Sequence, residues 1–329
     1  MRAATIPKLS IVIPMFNREF LIRETIASIQ RQEEENWECI VVDDGSQDRS
    51  RDVVQQFEKS DQRIKLYQRP LDQPKGPSTC RNQGFLHSKG EWVWFVDSDD
   101  HLAEGAVARI LNADLDESID LLVGMYEYME NDENSVGPKC WKFSPESAYI
   151  DHVTKRCPIL PFMVIWRRRY LQSRERQLWH PKVLFHAAYE FHARILAERP
   201  SIKVINKVLY EYRLHDGSQS LSISKGQLDH EQMAEVRLGK LDSRLRVLEG
   251  LAEKAEKPAE KKARDQLKWR VLVQMKRDGR HVQTQKAIAR FRTLLLQERS
   301  LRGLLGYFLV PAILRTGRGF RIIGTARSD

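Results

Sequence analysis

The sequence predicts an α/β fold, a mainly parallel sheet flanked by helices, followed by a helical and basic C-terminal extension. Three observations carry that prediction. Short apolar runs alternate with helical patterns from residue 9 to 127, polar clusters close three of those runs, and the stretch from 226 to 299 is helical and highly charged.

In order, residues 9–14 read as a strand, 18–32 as a helix, 38–42 as a strand, 48–60 as a helix and 64–68 as a strand. Residues 77–88 then read as a helix, 92–96 as a strand, 104–115 as a helix and 120–126 as a strand. The strands are continuous apolar runs, as expected of strands buried on both faces of a parallel βαβ sheet. From 130 to 157, Asn, Asp, Pro and Gly break any period and imply loops and short strands. Helix returns at 183–198 and strand at 203–212, and residues 254–262 form an exposed bend within the helical stretch.

A chain of 329 residues, 41% hydrophobic and 30% charged, can bury a substantial core. Cys39, Cys80, Cys140 and Cys157 lie far apart with no C-x-x-C pair, so neither a zinc ribbon nor a disulfide framework is expected, and a reducing cytosol suits them. Strand-like sequence begins too early to leave room for a secretory apolar region. No apolar run approaches the roughly 18 residues that span a bilayer. The net charge of +9 is uneven: residues 251–329 hold 19 Lys and Arg against 7 Asp and Glu, so residues 1–250 are net −3. A basic C-terminal part points to an anionic surface, with a solvated helical face as the alternative. Residues 304–314 are apolar and framed by Arg299, Arg302, Arg315, Arg318 and Arg321, which suits either the interface of an anionic membrane or a helix packed on the protein. No aromatic-interleaved basic platform supports nucleic-acid binding. No G-x-G-x-x-G follows the first strand, which argues against a dinucleotide-dependent dehydrogenase.

The strongest chemical signal is Glu91-Trp-Val-Trp-Phe-Val-Asp97-Ser98-Asp99-Asp100, three carboxylates directly after an apolar run. Helix capping explains one such Asp and not three. Gathered carboxylates repel unless neutralised, and hard oxygen ligands suit Mg²⁺ or Mn²⁺ bridging to phosphates. In parallel sheets ligands bind at the carboxyl ends of strands. Those ends carry Pro14-Met-Phe16-Asn17, Asp43-Asp44-Gly45-Ser46 and Asp97-Ser98-Asp99-Asp100, so three clusters should converge on one edge.

Ser10-Ile-Val-Ile-Pro14-Met-Phe16-Asn17, Val41-Val42-Asp43-Asp44-Gly45-Ser46-Gln-Asp48, Arg81-Asn82-Gln-Gly84 and Phe95-Val-Asp97-Ser98-Asp99-Asp100 resemble, in order and spacing, the family 2 glycosyltransferases of GT-A fold. The resemblance extends to about residue 220. It implies a GT-A-type domain over 1–225, with a nucleotide-sugar-binding half (1–127), an acceptor-binding half (128–225) and the extension at 226–329. It implies metal-assisted, inverting transfer of a sugar from a nucleoside-diphosphate sugar to a hydroxyl of a glycan or lipid-linked acceptor in surface polysaccharide or glycolipid biosynthesis. The implied cofactor is Mn²⁺ or Mg²⁺, and the implied location cytoplasmic, peripheral at the inner face of the membrane. Asp99 resembles the direct metal ligand. Asp97 resembles the second carboxylate that holds the metal, contacting ribose or metal-bound water, with Ser98 between them. Asp44 resembles the nucleobase acceptor, Asp43 its loop support, Phe16 a base-stacking ring beside Pro14 and Asn17, and Arg81 a diphosphate contact. Asp48 is better explained as a helix cap. His215, in Tyr212-Arg213-Leu214-His215, resembles a histidine that completes the metal or diphosphate site.

One departure matters. The family's acidic pair, which deprotonates the acceptor, aligns with Ala187 and Ala188 in Phe185-His186-Ala187-Ala188-Tyr189-Glu190-Phe191-His192-Ala-Arg194. An alanine takes no proton. Glu190 and His186 are the substitutes at hand, yet each lies about 200° around an ideal helix from Ala188, an objection that a non-helical start would remove. The alternative is a catalytically weakened relative that binds nucleotide sugar or a partner enzyme.

Overall fold

The computed structural model describes residues 6–113, 115–129, 143–173, 178–183, 186–213, 215, 229–254, 258–278, 282–297, 310–311 and 314. Its contacts divide the chain into two units. A sheet unit comprises Met1–Pro145, Ile159–Leu184 and Pro200–Leu221; a helical unit comprises Glu146–Pro158, Phe185–Arg199 and Ser222–Asp329. The expected boundary at 225 is contiguous in sequence, whereas the observed helical unit also takes in two earlier segments.

The sheet unit opens with β1 (Leu9–Met15), α1 (Leu21–Gln30), β2 (Trp37–Asp43), α2 (Ser50–Ser60), β3 (Ile64–Gln68), α3 (Pro77–His87) and β4 (Trp92–Phe95). β5 (His101–Leu102), α4 (Ala106–Leu111) and β6 (Leu121–Tyr128) follow. Beyond α5 (Ala148–Val153) of the other unit come a 3₁₀ turn (Pro161–Met163), β7 (Val164–Arg167) and α6 (Arg168–Gln172), and β8 (Ile202–Tyr212) closes the sheet. The eight strands run in the order β3-β2-β1-β4-β7-β6-β8-β5. β1 to β4 are parallel, as expected. β7 was not foreseen and lies antiparallel between β4 and β6, so the sheet is mixed.

Amphipathic spacing explains the covering helices: Ile22, Ile26 and Ile29 form the buried stripe of α1. α3 starts at Pro77, whose missing N–H costs nothing at a first helical position. It can lie close on β1 because Gly84 has no side chain: a Cβ there would stand 2.2 Å from Val12 Cγ1, and Val12 is fully buried. We expect Gly84→Ala to cost about 1–3 kcal/mol by overpacking, read as a lower urea midpoint. An unchanged midpoint would mean that the α3–β1 approach is not tight.

In the helical unit, α5 and α7 (Ala187–Leu196) accompany α8 (His230–Lys254), α9 (Pro258–Asp278) and α10 (Val282–Gln297). Leu241, Leu245, Leu248, Val271, Leu272, Met275 and Phe291 build its core. Of the apolar segment 304–314 only 310, 311 and 314 are described; Val310 is fully buried in this core and Leu314 packs against it. These two side chains therefore follow the packed-helix alternative. The flanking arginines lie outside the described residues. Among the described residues no helix is long and apolar enough to cross a membrane. Cys39 and Cys80 are free, whereas Cys157 is disulfide-bonded, which corrects the expectation of reduced thiols throughout.

His152 is 1% exposed, and its Nε2 lies 3.0 Å from the Tyr189 carbonyl. Burial lowers its pKa from 6.5 to about 4. Between those values the unfolded chain binds the proton that the folded chain refuses, so stability rises with pH across the window and falls on acidification. The loss between pH 6.5 and 4 should be about 3 kcal/mol from this group. Urea midpoints against pH should show a steeper acid slope for the wild type than for His152→Gln; equal slopes would remove His152 as the cause.

Candidate functional site

Register sets the site. β1 pairs with β2 from Leu9↔Trp37 to Met15↔Asp43, and the Asp44 amide then donates to the Met15 carbonyl at 2.8 Å. β4 ends earlier, with Val12 opposite Phe95, and the Val96 amide donates to Val12. Both carboxylate-bearing loops thus leave the sheet at one edge. They border a cavity of about 420 Å³, onto which Pro14, Phe16, Asp44, Arg81, Asp97, Ser98 and Asp99 all face. Seven of the expected residues are brought together there.

The carboxylates differ in their partners. Asp97 accepts from Arg81 Nη2 at 2.6 Å, and burial, opposed by Arg81, leaves its pKa raised. For Asp99 burial pushes upward, but the hydrogen bond from His215 and the charge of Arg18 outweigh it and hold the carboxyl below its usual range. His215 Nε2 lies 3.0 Å and Arg18 Nε 3.4 Å from Asp99 Oδ2. Asp100 turns the other way, into the protein: the Tyr210 hydroxyl donates to it at 2.8 Å and the Arg213 amide at 2.7 Å. Burial, then the charges of Asp99 and Asp97, push its pKa far up.

Asp43 is fully buried and does not border the cavity; it accepts from the Gly45 and Ser46 amides at 3.1–3.2 Å and folds the loop that presents Asp44. Gly45 takes φ +86°, a turn conformation that favours glycine. Asn17 also stays off the cavity wall, tying the two loops together: its amide donates to Ser46 Oγ at 3.0 Å and its Oδ1 accepts from Gln47 N at 2.8 Å. Asp48 lies one residue before the α2 N-cap, Arg49, and accepts the Ser50 amide at 3.0 Å and the Glu19 amide at 3.2 Å, so it ties two loops together rather than occupying the cap position expected of it. Phe16 is 37% exposed, with Lys75 Nζ 3.6 Å from its ring centre.

Glu190 and His186 belong to the helical unit. Glu190 is buried and bonded to Arg194 Nε at 2.8 Å. His186 precedes α7 at φ +62°, and burial, reinforced by Lys155, Lys240 and Arg244, lowers its pKa to about 3. Glu190 is thus held by a salt bridge, and an imidazole as weakly basic as that of His186 is a poor acceptor of a proton.

Sequence inspection missed several groups. Arg69, one residue past β3, pairs its Nε with Asp44 Oδ1 and donates from Nη1 to the Pro70 and Gln73 carbonyls at 2.8 and 2.6 Å. The strand-end argument applied to β3 would have found it. Arg18 and Arg213 border the cavity, and Tyr210 supports the Asp97 amide at 3.1 Å.

For a divalent cation, Asp99 and His215 supply a carboxylate and an imidazole that converge on one point. Among the described residues no group of three or more His, Cys, Asp or Glu is placed so as to hold a metal ion by itself. One or two protein ligands with substrate phosphates completing the shell is the usual manner for Mg²⁺, so these residues fit the group.

The family described as Glycosyl transferase family 2 matches residues 10–189, more than half of the chain. The chain belongs to that family. A GalNAc(5)-diNAcBac-PP-undecaprenol beta-1,3-glucosyltransferase of Campylobacter jejuni is 42% identical over 107 residues, 32% of this chain and 34% of the relative. The chain spans less than two thirds of the length of the first curated relatives it matches. Among solved folds, S. aureus TarS 1-349 in complex with UDP-GlcNAc superposes with TM-score 0.60 at 20% identity, covering 96% of this chain and 88% of that one. The mannosyltransferase PcManGT of Pyrobaculum calidifontis, in complex with GDP-Man and Mn2+, gives 0.55 at 15% identity, covering 97% and 83%. This family 2 chain therefore has the fold of those proteins, with a helical C-terminal part.

Proposed function

We propose that the chain binds a nucleoside-diphosphate sugar in the sheet-unit cavity and transfers the sugar, with inversion, to a hydroxyl of a glycan or lipid-linked acceptor in surface polysaccharide or glycolipid biosynthesis. The observation that carries this is the delivery of Asp44, Asp97, Asp99 and Arg81 to one cavity from two strand ends and a helix. In this reading Asp44, braced by Arg69, accepts from the nucleobase. Phe16 and Pro14 flank the base, and Asp97 and Ser98 face ribose. Arg81 and Arg18 approach the diphosphate, where charge grows as the sugar leaves. Asp99 and His215 would hold Mn²⁺ or Mg²⁺, which when bound neutralises that charge. We place the chain on the cytoplasmic side, with exposed Lys261, Lys262 and Lys286 available to an anionic membrane surface.

A second reading, a weakened relative that binds donor without efficient transfer, is favoured by Ala187 and Ala188 together with the Glu190–Arg194 pair. Calorimetry with UDP-, GDP- and dTDP-sugars in Mn²⁺ or Mg²⁺, with nucleotide release followed in the same samples, decides. Metal-dependent binding with turnover supports transfer, binding with no turnover on glycan or lipid-linked acceptors supports the second reading, and no binding overturns both.

A further inference from the structure

Tyr189, in the first turn of α7, sits among cations of the helical unit. The Lys155 ammonium stands 5.5 Å from its ring centre and the His186 ring 5.9 Å away. Its hydroxyl donates to the Val153 carbonyl at 3.1 Å, and Arg270 donates to the carbonyl of the next residue, Thr154, at 3.0 Å. Arg244 donates to the Gln274 amide oxygen. The partners of both arginines are thus neutral, and among the described residues neither they nor Lys155 is paired with a carboxylate.

The groups feel one another. Burial lowers the Lys155 pKa to about 8, and Arg244, Arg270 and Lys240 push it the same way. Lys155 is nevertheless exposed, while His186, Arg244 and Arg270 are half-buried, so an anion from solvent can reach the cluster. Gathered cations with no carboxylate among them repel until an anion joins them. His186 Nδ1 is buried without a partner, and one tautomer of the neutral ring makes it a donor. α7 contributes the positive end of its dipole, and the amides of its first turn have no acceptor within the helix.

We propose that Lys155, His186, Arg244, Arg270 and the amino end of α7 form a binding site for a phosphoryl group. None of these residues borders the sheet-unit cavity. Resting on the transferase reading, the phosphoryl group is that of the acceptor, a glycan joined to its carrier through phosphate, and the carrier is either a lipid diphosphate or a soluble polyol phosphate.

The test is calorimetric titration of inorganic pyrophosphate, geranyl diphosphate and glycerol 3-phosphate into the full chain saturated with UDP, in wild type and in Lys155→Ala/Arg244→Ala. We expect binding to the UDP-saturated wild type and a loss of about tenfold or more in the variant, with UDP affinity unchanged. Preference for geranyl diphosphate identifies a lipid diphosphate, and equal or better binding of glycerol 3-phosphate a polyol phosphate. Absence of phosphoryl binding to the UDP-saturated wild type, or equal affinity in the variant, overturns the site. If UDP itself does not bind, the donor reading fails separately, and the same titrations without UDP still judge the anion site. Should the double variant unfold, Lys155→Gln, at an exposed position, serves in its place and should weaken binding about threefold.

Discussion

Asp99→Ala should lower the rate of sugar transfer by about 10²–10³-fold and remove the part of donor binding that depends on Mn²⁺ or Mg²⁺. His215 and Arg18 both bear on this carboxyl and hold its pKa below the ordinary value, so it is ionised at neutral pH and presents a full negative charge to the cavity. No neighbour can replace it. Asp97 is engaged by Arg81, and Asp100 faces inward to Tyr210 and the Arg213 amide. The variant also leaves Arg18 without its carboxylate partner, so metal-free UDP binding should persist while the metal-dependent increment disappears. Calorimetry with and without Mn²⁺ on both proteins, alongside nucleotide release, separates the two. Wild-type turnover in Asp99→Ala would overturn the assignment.

The carboxylate edge was legible because a parallel strand brings its ligand-bearing residues to one place by direction alone, and Asp44, Asp97 and Asp99 each follow an apolar run within a few positions. What lay beyond was set by tertiary partners. Arg69 looks like any surface arginine until β3 pairs with β2 and carries it to Asp44. Tyr210 reads as a strand residue, yet its hydroxyl reaches Asp100 from 110 positions away. β7 lies in the continuous apolar run Phe162–Trp166, a pattern that a buried strand shares with a buried helical segment, so its place between β4 and β6 could not be read from it. The membership of the helical unit was illegible for a related reason: α5 and α7 lie far in sequence from α8, α9 and α10, and packing of Val153, Tyr189 and Ala193 into that core joins them. The proton acceptor was illegible because it depends on salt bridges and backbone turns. The Glu190–Arg194 pair has the i,i+4 spacing that a helix predicts, but nothing in the motif announces that His186 takes a left-handed conformation.

Arg69→Met should lower stability by about 3–5 kcal/mol and weaken nucleotide binding as well. Arg69 and Asp44 side chains are 9% and 7% exposed, so each charge is the other's replacement for water. Removing the guanidinium strands a buried carboxylate and frees the Pro70 and Gln73 carbonyls that Arg69 also holds. Its amide, donating to the Asp43 carbonyl at 2.9 Å, remains, so β3 should stay in register. Arg69→Lys should recover only part of the loss, because an ammonium cannot reproduce the planar fork that serves three oxygens at once. A double-mutant cycle with Asp44→Asn isolates the pair: with no buried charge left to strand, the double variant should be more stable than the sum of the single losses predicts by about 1–3 kcal/mol. Losses additive within about 0.5 kcal/mol would mean that Arg69 acts through the carbonyls alone and that Asp44 stands without its help.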